Sequence, residues 1–223
     1  MNKNIINVLK RKDVGAIGIG AMIVFIAMVL VAGIAASVLI QTAGDLEMSA
    51  MRAGEETEAE VATGLAITDV IGKVSDNKID NMTVSIKPRA GSKEIDLHEA
   101  VIELSNSTVK VVLTYPSAAN DTTYFKDGPS GDGIFETGNQ VFNITNQEFG
   151  IIELEDADGS CNATGPVINR GDLVTLTVNC SACFNKLPAR TDVWGQVIPE
   201  EGASGVFSFR TPASLTDEVY DLY

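Results

Sequence analysis

The residues of this sequence whose types and spacing could support chemistry are three cysteines and a single histidine. Cys180 and Cys183 form a C-x-x-C pair, and Cys161 lies upstream of them. A zinc site needs a second such pair or histidines, and a redox site needs a thioredoxin-like context. The sequence offers neither, and His98 stands alone in an acidic stretch, as surface histidines commonly do. We therefore expect a protein that is not an enzyme.

A second candidate site is the acidic, glycine-rich segment 127–139. Clustered oxygen ligands suit a hard cation such as calcium. The segment departs from the pattern D-x-[DN]-x-[DN]-G-x5-E, because proline and glycine replace two ligands and glycine replaces the closing Glu. No cofactor is required, and a solvated turn is the alternative to a structural calcium ion. The candidate calcium ligands are Asp127, Asp132, Glu136 and Asn139.

Six N-x-[ST] sequons make asparagine modification a third kind of candidate chemistry. All six lie in the C-terminal three quarters of the chain. Asn, Ser and Thr are common in turns, so some of these matches arise by chance, and the Cys180 inside the last one weakens it. We expect N-glycosylation at some of them. The candidate acceptors are Asn81, Asn106, Asn120, Asn143, Asn162 and Asn179.

The elements that must position these sites are divided sharply along the chain. A stretch of 31 residues, 14–44, carries no charge, and it follows a basic cluster formed by Lys10, Arg11 and Lys12. A membrane span needs only about 20 apolar residues. Because basic flanking residues stay cytoplasmic, everything after Gly44 is expected outside the cell.

The charge of the chain has the same division. The 223 residues include 30 acidic and 16 basic side chains, for a formal net charge of −14, and the part after Gly44 alone carries −17. Such acidity argues against nucleic acid as a partner, because phosphates would be repelled. The exterior is an oxidising setting. For Cys161, Cys180 and Cys183 we therefore expect a structural disulfide first, free thiols second and a metal last, with the pairing left open.

One long helix is expected over residues 16–74. The first proline is Pro88, and apolar residues continue at helical spacing to Ile71, so the membrane-like stretch extends into an amphipathic one. A helix over 16–72 would be about 85 Å long. It has no partner of that length within the chain and must pack against copies of itself. Small residues spaced four apart would allow close packing. These helix-packing candidates are Ala16, Gly20, Ala32 and Ala36.

The remaining chain, 75–223, is expected to be a β-domain. Short β-rich runs separated by turn residues occur at 83–87, 100–104, 108–115, 149–154, 173–178, 193–197 and 205–209. Six or more such strands are typical of a β-sandwich. The predicted fold class is α+β, with one long N-terminal hydrophobic and amphipathic α-helix followed by an antiparallel, Ig-like β-sandwich.

The N-terminal residues resemble the start of an archaeal flagellin (archaellin), a type IV pilin-like filament subunit. The resemblance is dense over residues 10–45, and it continues thinly at 91–97, 169–174 and 207–212. In that family a prepilin-type peptidase cuts after the glycine that follows the basic cluster. The resemblance implies a class III leader over 1–15, removed between Gly15 and Ala16. Gly20, where bacterial pilins usually carry Glu, favours archaellin over pilin.

The function that the resemblance implies is that of a secreted structural subunit. The helix would sit in the membrane before assembly and in the core of the swimming filament afterwards. The implied partners are copies of the chain, the peptidase, and the archaellum assembly and motor platform. The alternatives are an adhesive type IV-like pilin, and a membrane-anchored exterior binding domain that keeps residues 1–15.

Overall fold

The computed structural model describes residues 3–116, 123–128, 133–135 and 140–223, with side chains from Ile17 onward. The chain divides into two units, one ending at Glu55 and the other spanning Glu56–Tyr223. The second unit contains the last residues of the N-terminal helix and all of the strands described below. We refer to Glu56–Tyr223 as the β-domain.

A single α-helix, α1, runs without a break from Lys3 to Ala62. Glycines that ordinarily weaken a soluble helix do not interrupt it. Within the described residues, the segment Ile17–Ala62 of α1 is the one stretch long and apolar enough to cross a membrane. The prediction of one long N-terminal helix is confirmed.

The predicted end of the helix is wrong by about three turns. Residues 65–74, expected to be helical, lie in strand β1 (Leu65–Ser75), which pairs with β2 (Lys78–Pro88). Asp76 and Asn77 both have positive φ, at 56° and 63°, and they make the two-residue turn that joins the strands. The segment is rich in β-branched residues, which favour a pleated strand over a helix. The β-domain therefore begins before residue 75.

The described part of the β-domain contains three sheets. Besides β1 and β2, their strands are β3 (Ile95–Asp96), β4 (Val101–Ser105), β5 (Lys110–Thr114), β6 (Phe125–Asp127), β7 (Gly150–Glu155), β8 (Cys161–Asn162), β9 (Gly165–Ile168), β10 (Leu173–Asn179), β11 (Asp192–Ile198), β12 (Gly205–Arg210) and β13 (Val219–Asp221). The six-stranded sheet has the order β13-β1-β2-β10-β7-β6, the four-stranded sheet β12-β11-β4-β5, and the small sheet β3-β9-β8. Pairing is antiparallel except between β6 and β7. A one-turn helix, α2 (Cys180–Phe184), follows β10, and a 3-10 helix (Gln140–Phe142) precedes β7.

The core lies between the inner faces of the six- and four-stranded sheets. Val84 and Leu176 from one sheet, and Ile102 and Phe207 from the other, are fully buried or nearly so in one hydrophobic cluster. Burial alternates along β12, as expected of a strand with one face on a core and one face in water. The predicted antiparallel sheets around a shared core are confirmed.

A second, smaller core covers the outer face of the six-stranded sheet. Val141, Phe142 and Ile152 are buried there against Phe135, and the Phe135 and Phe142 rings stack with their centroids 5.4 Å apart. The Thr177 hydroxyl of β10 donates to the Val141 carbonyl at 2.7 Å. The central strands β2 and β10 are consequently buried on both faces.

Candidate assembly surface and exterior sites

The apolar side chains of α1 are exposed along the whole uncharged stretch. The large ones between Ile17 and Ile40 are 53% to 74% exposed. Apolar residues occupy every side of this part of the helix, as in a helix that is surrounded by lipid or by other helices. We call the side chains of Ile17–Ile40 the apolar helix surface. Its burial requires molecules other than this chain.

The small residues of the predicted packing pairs lie on this surface. Gly20, Ala32 and Ala36 are exposed, and a side chain built at Gly20 would meet no atom within 4 Å. Residues four apart lie on one side of a helix, so Ala32 and Ala36 share a side. A helix-packing role for Ala16, Gly20, Ala32 and Ala36 remains a prediction.

The residues of the predicted leader lie in the first turns of α1. The helix passes through Lys10, Arg11, Lys12, Gly15 and Ala16, while their side chains lie outside the described part of the structure. Cleavage between Gly15 and Ala16 remains a prediction.

The C-terminal end of α1 is held by two loops of the β-domain. The Thr63 carbonyl accepts from the Ala203 N–H at 2.9 Å, and the Leu65 N–H donates to the Ala203 carbonyl at 3.0 Å. The Gly64 N–H donates to the Ser92 hydroxyl, and the Ser92 hydroxyl donates to the Gly64 carbonyl, both at 3.0 Å. We call Thr63–Leu65 with Ser92 and Ala203 the junction. Backbone polar groups at the helix end are thereby paired rather than left exposed.

Arg89 reinforces the junction from the end of β2. Its N–H donates to the Gly64 carbonyl at 2.9 Å, and its Nε donates to the Leu65 carbonyl at 3.1 Å. Gly202 has φ of +96°, and a Cβ there would overlap the Thr63 carbonyl. Only glycine fits this backbone position without a shift. The sequence reasoning missed the junction, although Gly64 and Gly202 are signals of backbone close approach.

The structure differs from the disulfide prediction, since Cys161, Cys180 and Cys183 are all free thiols. Cys180 and Cys183 lie on α2, three residues apart. At that spacing the Cβ atoms are about 5–6 Å apart, whereas a disulfide needs about 3.5–4.5 Å. Burial raises the pKa of the Cys161 thiol to about 12, helped by Glu153 and Asp156, and that of Cys183 to about 11. These cysteines pack as small apolar side chains.

The predicted glycosylation sites differ in how accessible their asparagines are. Asn143 and Asn162 are exposed, and Asn106 is half-buried in the turn between β4 and β5. Asn81 lies in β2, paired to both neighbouring strands. Asn120 lies outside the described residues.

The last sequon asparagine has a structural role. The Asn179 amide nitrogen donates to the carbonyls of Phe142 and Ile144, at 3.0 and 3.3 Å. Its side-chain oxygen caps α2 by accepting from the Ala182 N–H at 3.1 Å. Transfer of a glycan to this nitrogen would disrupt both contacts, so Asn179 is the least suited acceptor.

The predicted calcium ligands are only partly described. Asp127 ends β6, while Asp132, Glu136 and Asn139 lie outside the described residues. The structure brings together a different acidic group, Asp156, Asp158 and Asp172, whose carboxylate oxygens lie within 4.8 Å of one another. The Asp172 carboxylate accepts from the Asn169 N–H at 2.7 Å, and burial raises its pKa. Sequence reasoning missed this group because its members come from separate loops.

His98 is a partly exposed residue of the β-domain and lies beside the aromatic ring of Tyr115. Its Nδ1 lies 3.2 Å from Glu99 Oε1, and its ring packs edge-on against Tyr115 with centroids 5.9 Å apart. The Tyr115 hydroxyl donates to the Ala163 carbonyl at 3.2 Å. The environment of His98 therefore fits a packing role.

Comparison with known proteins gives a consistent result. A family described as archaeal-type flagellin matches residues 15–209. Flagellin B2 of Methanocaldococcus jannaschii is 48% identical over 211 residues, covering 93% of this chain and 94% of that protein. Flagellin B1 of Methanococcus voltae is 40% identical over 224 residues, covering 98% and 99%.

Solved structures agree with these sequence matches. The archaeal flagellin FlaB1 of Methanocaldococcus jannaschii superposes with a TM-score of 0.64 at 35% identity, covering 72% of this chain and 97% of that one. A chain of the archaeal flagellum of Methanospirillum hungatei superposes with a TM-score of 0.62 at 15% identity, covering 92% and 98%. The second likeness concerns the fold alone.

Proposed function

This chain belongs to the archaeal-type flagellin family and is a structural subunit of the archaellum filament, and we propose that it polymerises through the apolar helix surface. The observation that carries the proposal is the exposure of every large apolar side chain from Ile17 to Ile40. Burying one such side chain is worth about 1.5–3 kcal/mol. Burial of this whole surface between copies of the chain supplies the cohesion of the filament core.

The acidic β-domain supports an exterior position in the filament. A strongly negative surface repels like surfaces, so the cohesive element must be the uncharged helix and the outer element the charged domain. The archaellum filament is an extracellular appendage of the cell surface, and the β-domain would form its outside.

The same helix would hold the precursor in the membrane. Lys10, Arg11 and Lys12 would stay on the cytoplasmic side, and a prepilin-type peptidase would cut between Gly15 and Ala16. Removing residues 1–15 would leave the apolar helix surface at the mature N-terminus, where it can leave the lipid for the filament. The assembly and motor platform would be the further partners.

Glycans would cover part of the exterior. Asn143 and Asn162 are the best acceptors by exposure, and Asn106 follows. Mass spectrometry of filament peptides measures occupancy, and we expect glycan at one or more of these three and none at Asn179.

The test of the proposed function uses the full chain in an archaeal host without other flagellins. We expect electron microscopy to find surface filaments when the chain is expressed, and N-terminal sequencing of sheared filaments to begin at Ala16. A mature chain that begins at Met1, or cells that carry no surface filaments, contradicts the proposal.

A matched pair of glycine variants isolates the processing step. Gly15→Val places a branched side chain at the proposed cut and should leave a precursor in the membrane fraction. Gly18→Ala changes a nearby glycine whose added Cβ meets no atom within 4 Å, and it should be cut normally. Normal processing of Gly15→Val contradicts this cleavage site.

A further inference from the structure

In the described part of the structure, the outer face of the four-stranded sheet is exposed. On its inner face Val193, Val197 and Phe207 belong to the core. Because side chains alternate across a strand, the opposite face carries Trp194 of β11, Val206 of β12 and Val112 of β5. These three are 44%, 60% and 46% exposed. The outer face of the six-stranded sheet, in contrast, is covered by the smaller core around Val141.

The exposed apolar residues of this face lie in two neighbouring rows that also contain polar residues. Val112 lies opposite Glu103, Glu103 opposite Gln196, and Gln196 opposite Val206, so one row crosses all four strands. Trp194 lies in the adjacent row, opposite Ser208. Among the described residues of the β-domain, exposed large apolar side chains also occur at Val61, Val109, Val219 and Tyr223. Val109 lies in the turn between β4 and β5.

The charge on this face is balanced, unlike that of the surrounding domain. Lys110 Nζ lies 2.9 Å from Glu103 Oε2, and Arg210 Nε lies 3.5 Å from Asp192 Oδ1. Lys110 Nζ also lies 6.0 Å from the centre of the Trp194 ring. The part of the chain after Gly44 carries a net charge of −17. Copies that repel one another elsewhere can approach at a face where each carboxylate has its own cation.

We propose that the outer face of the four-stranded sheet is a contact between β-domains of neighbouring copies of this chain in the filament. The proposal rests on the proposed function, because the helices must first bring the copies side by side. Four strands of five to seven residues offer a face of about 400 Å². A stable interface uses about 800 Å² per partner. The face is therefore too small to hold two free subunits together, and suits a contact made at the high effective concentration within a polymer.

Trp194 is the only tryptophan of the chain and reports directly on this contact. The experiment compares acrylamide quenching of its fluorescence in filaments made of this chain alone and in the full chain dispersed in detergent. Assembly should lower the quenching constant about twofold or more, because a contact centre excludes water from an aromatic ring. Equal quenching in both states overturns the contact. A glycan covering Trp194 would give that result, since it would protect the ring in dispersed subunits as well.

Two charge variants test whether this face is the part that docks. Val206→Asp adds a carboxylate to the face at an exposed position, and should return Trp194 quenching in filaments toward its dispersed value. Val219→Asp adds the same charge on β13 in the other sheet, at 48% exposure, and should leave the quenching unchanged. Equal effects of the two variants overturn the assignment of the face. Intact filaments with unprotected Trp194 count against the contact alone, whereas the absence of filaments from the unaltered chain counts against both proposals.

Discussion

Apolar side chains have opposite surroundings in the two regions of this molecule. Between Ile17 and Ile40 they are exposed by half or more, whereas Leu65, Val70 and Ile86 of the β-domain have no exposed surface. The β-domain carries its own core between two sheets, and its folding uses the chain's own residues. The helix has secondary structure without a core. Its stability in water depends on lipid or on copies, so a substitution in the helix should affect assembly while a substitution in the domain should affect folding.

The largest effect is expected from a charge in the apolar helix surface. Leu30→Asp places a carboxylate where lipid and neighbouring helices must both accept it, at a cost of about 2.5–3.5 kcal/mol in membrane insertion. Every subunit carries the same cost, so filaments should fall below detection in sheared fractions viewed by electron microscopy.

The conservative change Leu30→Ile serves as the control and should assemble normally. The melting temperature of the β-domain, measured on the full chain in detergent, should be unchanged in both variants. A large drop in that temperature for Leu30→Asp would mean that this helix substitution affects the folding of the β-domain as well as assembly.

The second largest effect is expected at the junction. Gly202→Ala adds a Cβ that overlaps the Thr63 backbone, and the resulting shift should cost about 2–4 kcal/mol of folding free energy. Denaturant unfolding of the full chain in detergent measures it. Gly91→Ala is the matched control, because Gly91 has a similar φ of +93° with no atom within 4 Å. Equal losses in both variants would show that backbone strain, and not the close approach, matters at Gly202.

A smaller effect is expected where the second core meets the six-stranded sheet. Thr177→Val keeps the shape of the side chain and removes the buried hydrogen bond to the Val141 carbonyl. The free energy of unfolding should fall by about 1–2 kcal/mol. Thr114→Val, which removes an exposed 3.4 Å hydrogen bond to Gln147, should change it by less than about 0.5 kcal/mol. Equal changes in the free energy of unfolding for the two variants would show that the buried hydrogen bond stabilises the domain no more than the exposed one.

The smallest effect is expected from thiol reagents. With a pKa of about 12 for Cys161 and about 11 for Cys183, very little thiolate forms at pH 8, and alkylation should be about a hundredfold or more slower than for an ordinary thiol. In denaturant all three cysteines should react. Mass spectrometry counts the labels, and fewer than three in denaturant without reductant would indicate the disulfide that the exterior location suggested.

Sequence reasoning succeeded where one physical signal dominates. The uncharged stretch 14–44 leaves no alternative to an apolar helix, and turn residues such as Asn106 and Ser107 mark the hairpin of β4 and β5. It placed the helix end wrongly because apolar residues such as Val70 and Ile71 suit helices and strands alike, and a register shift between Ile67 and Asp69 breaks the alternation that marks a strand. The decisive signal was Asp76-Asn77, a hairpin turn that resembles a helix stop when read alone.

Features made by residues far apart in sequence could not be predicted. The junction joins Thr63 and Gly64 to Ser92 and Ala203, and the acidic group joins Asp156 and Asp158 to Asp172. Their geometry depends on strand register, which a sequence pattern specifies only weakly. The exposed outer face of the four-stranded sheet is a similar case, since Val112 and Val206 come to lie in one row only through the pairing of four strands.

The junction also has a mechanical consequence. A filament that bends or turns in a viscous medium loads each outer domain with drag, and that force must pass through the residues where the last turn of α1 meets the sheets. Backbone hydrogen bonds from Arg89 and Ala203 flank Gly64 on both sides, so the load is shared among several bonds in parallel instead of stretching one flexible tether. The force on each outer domain thereby passes to the last turn of α1 through several hydrogen bonds at once.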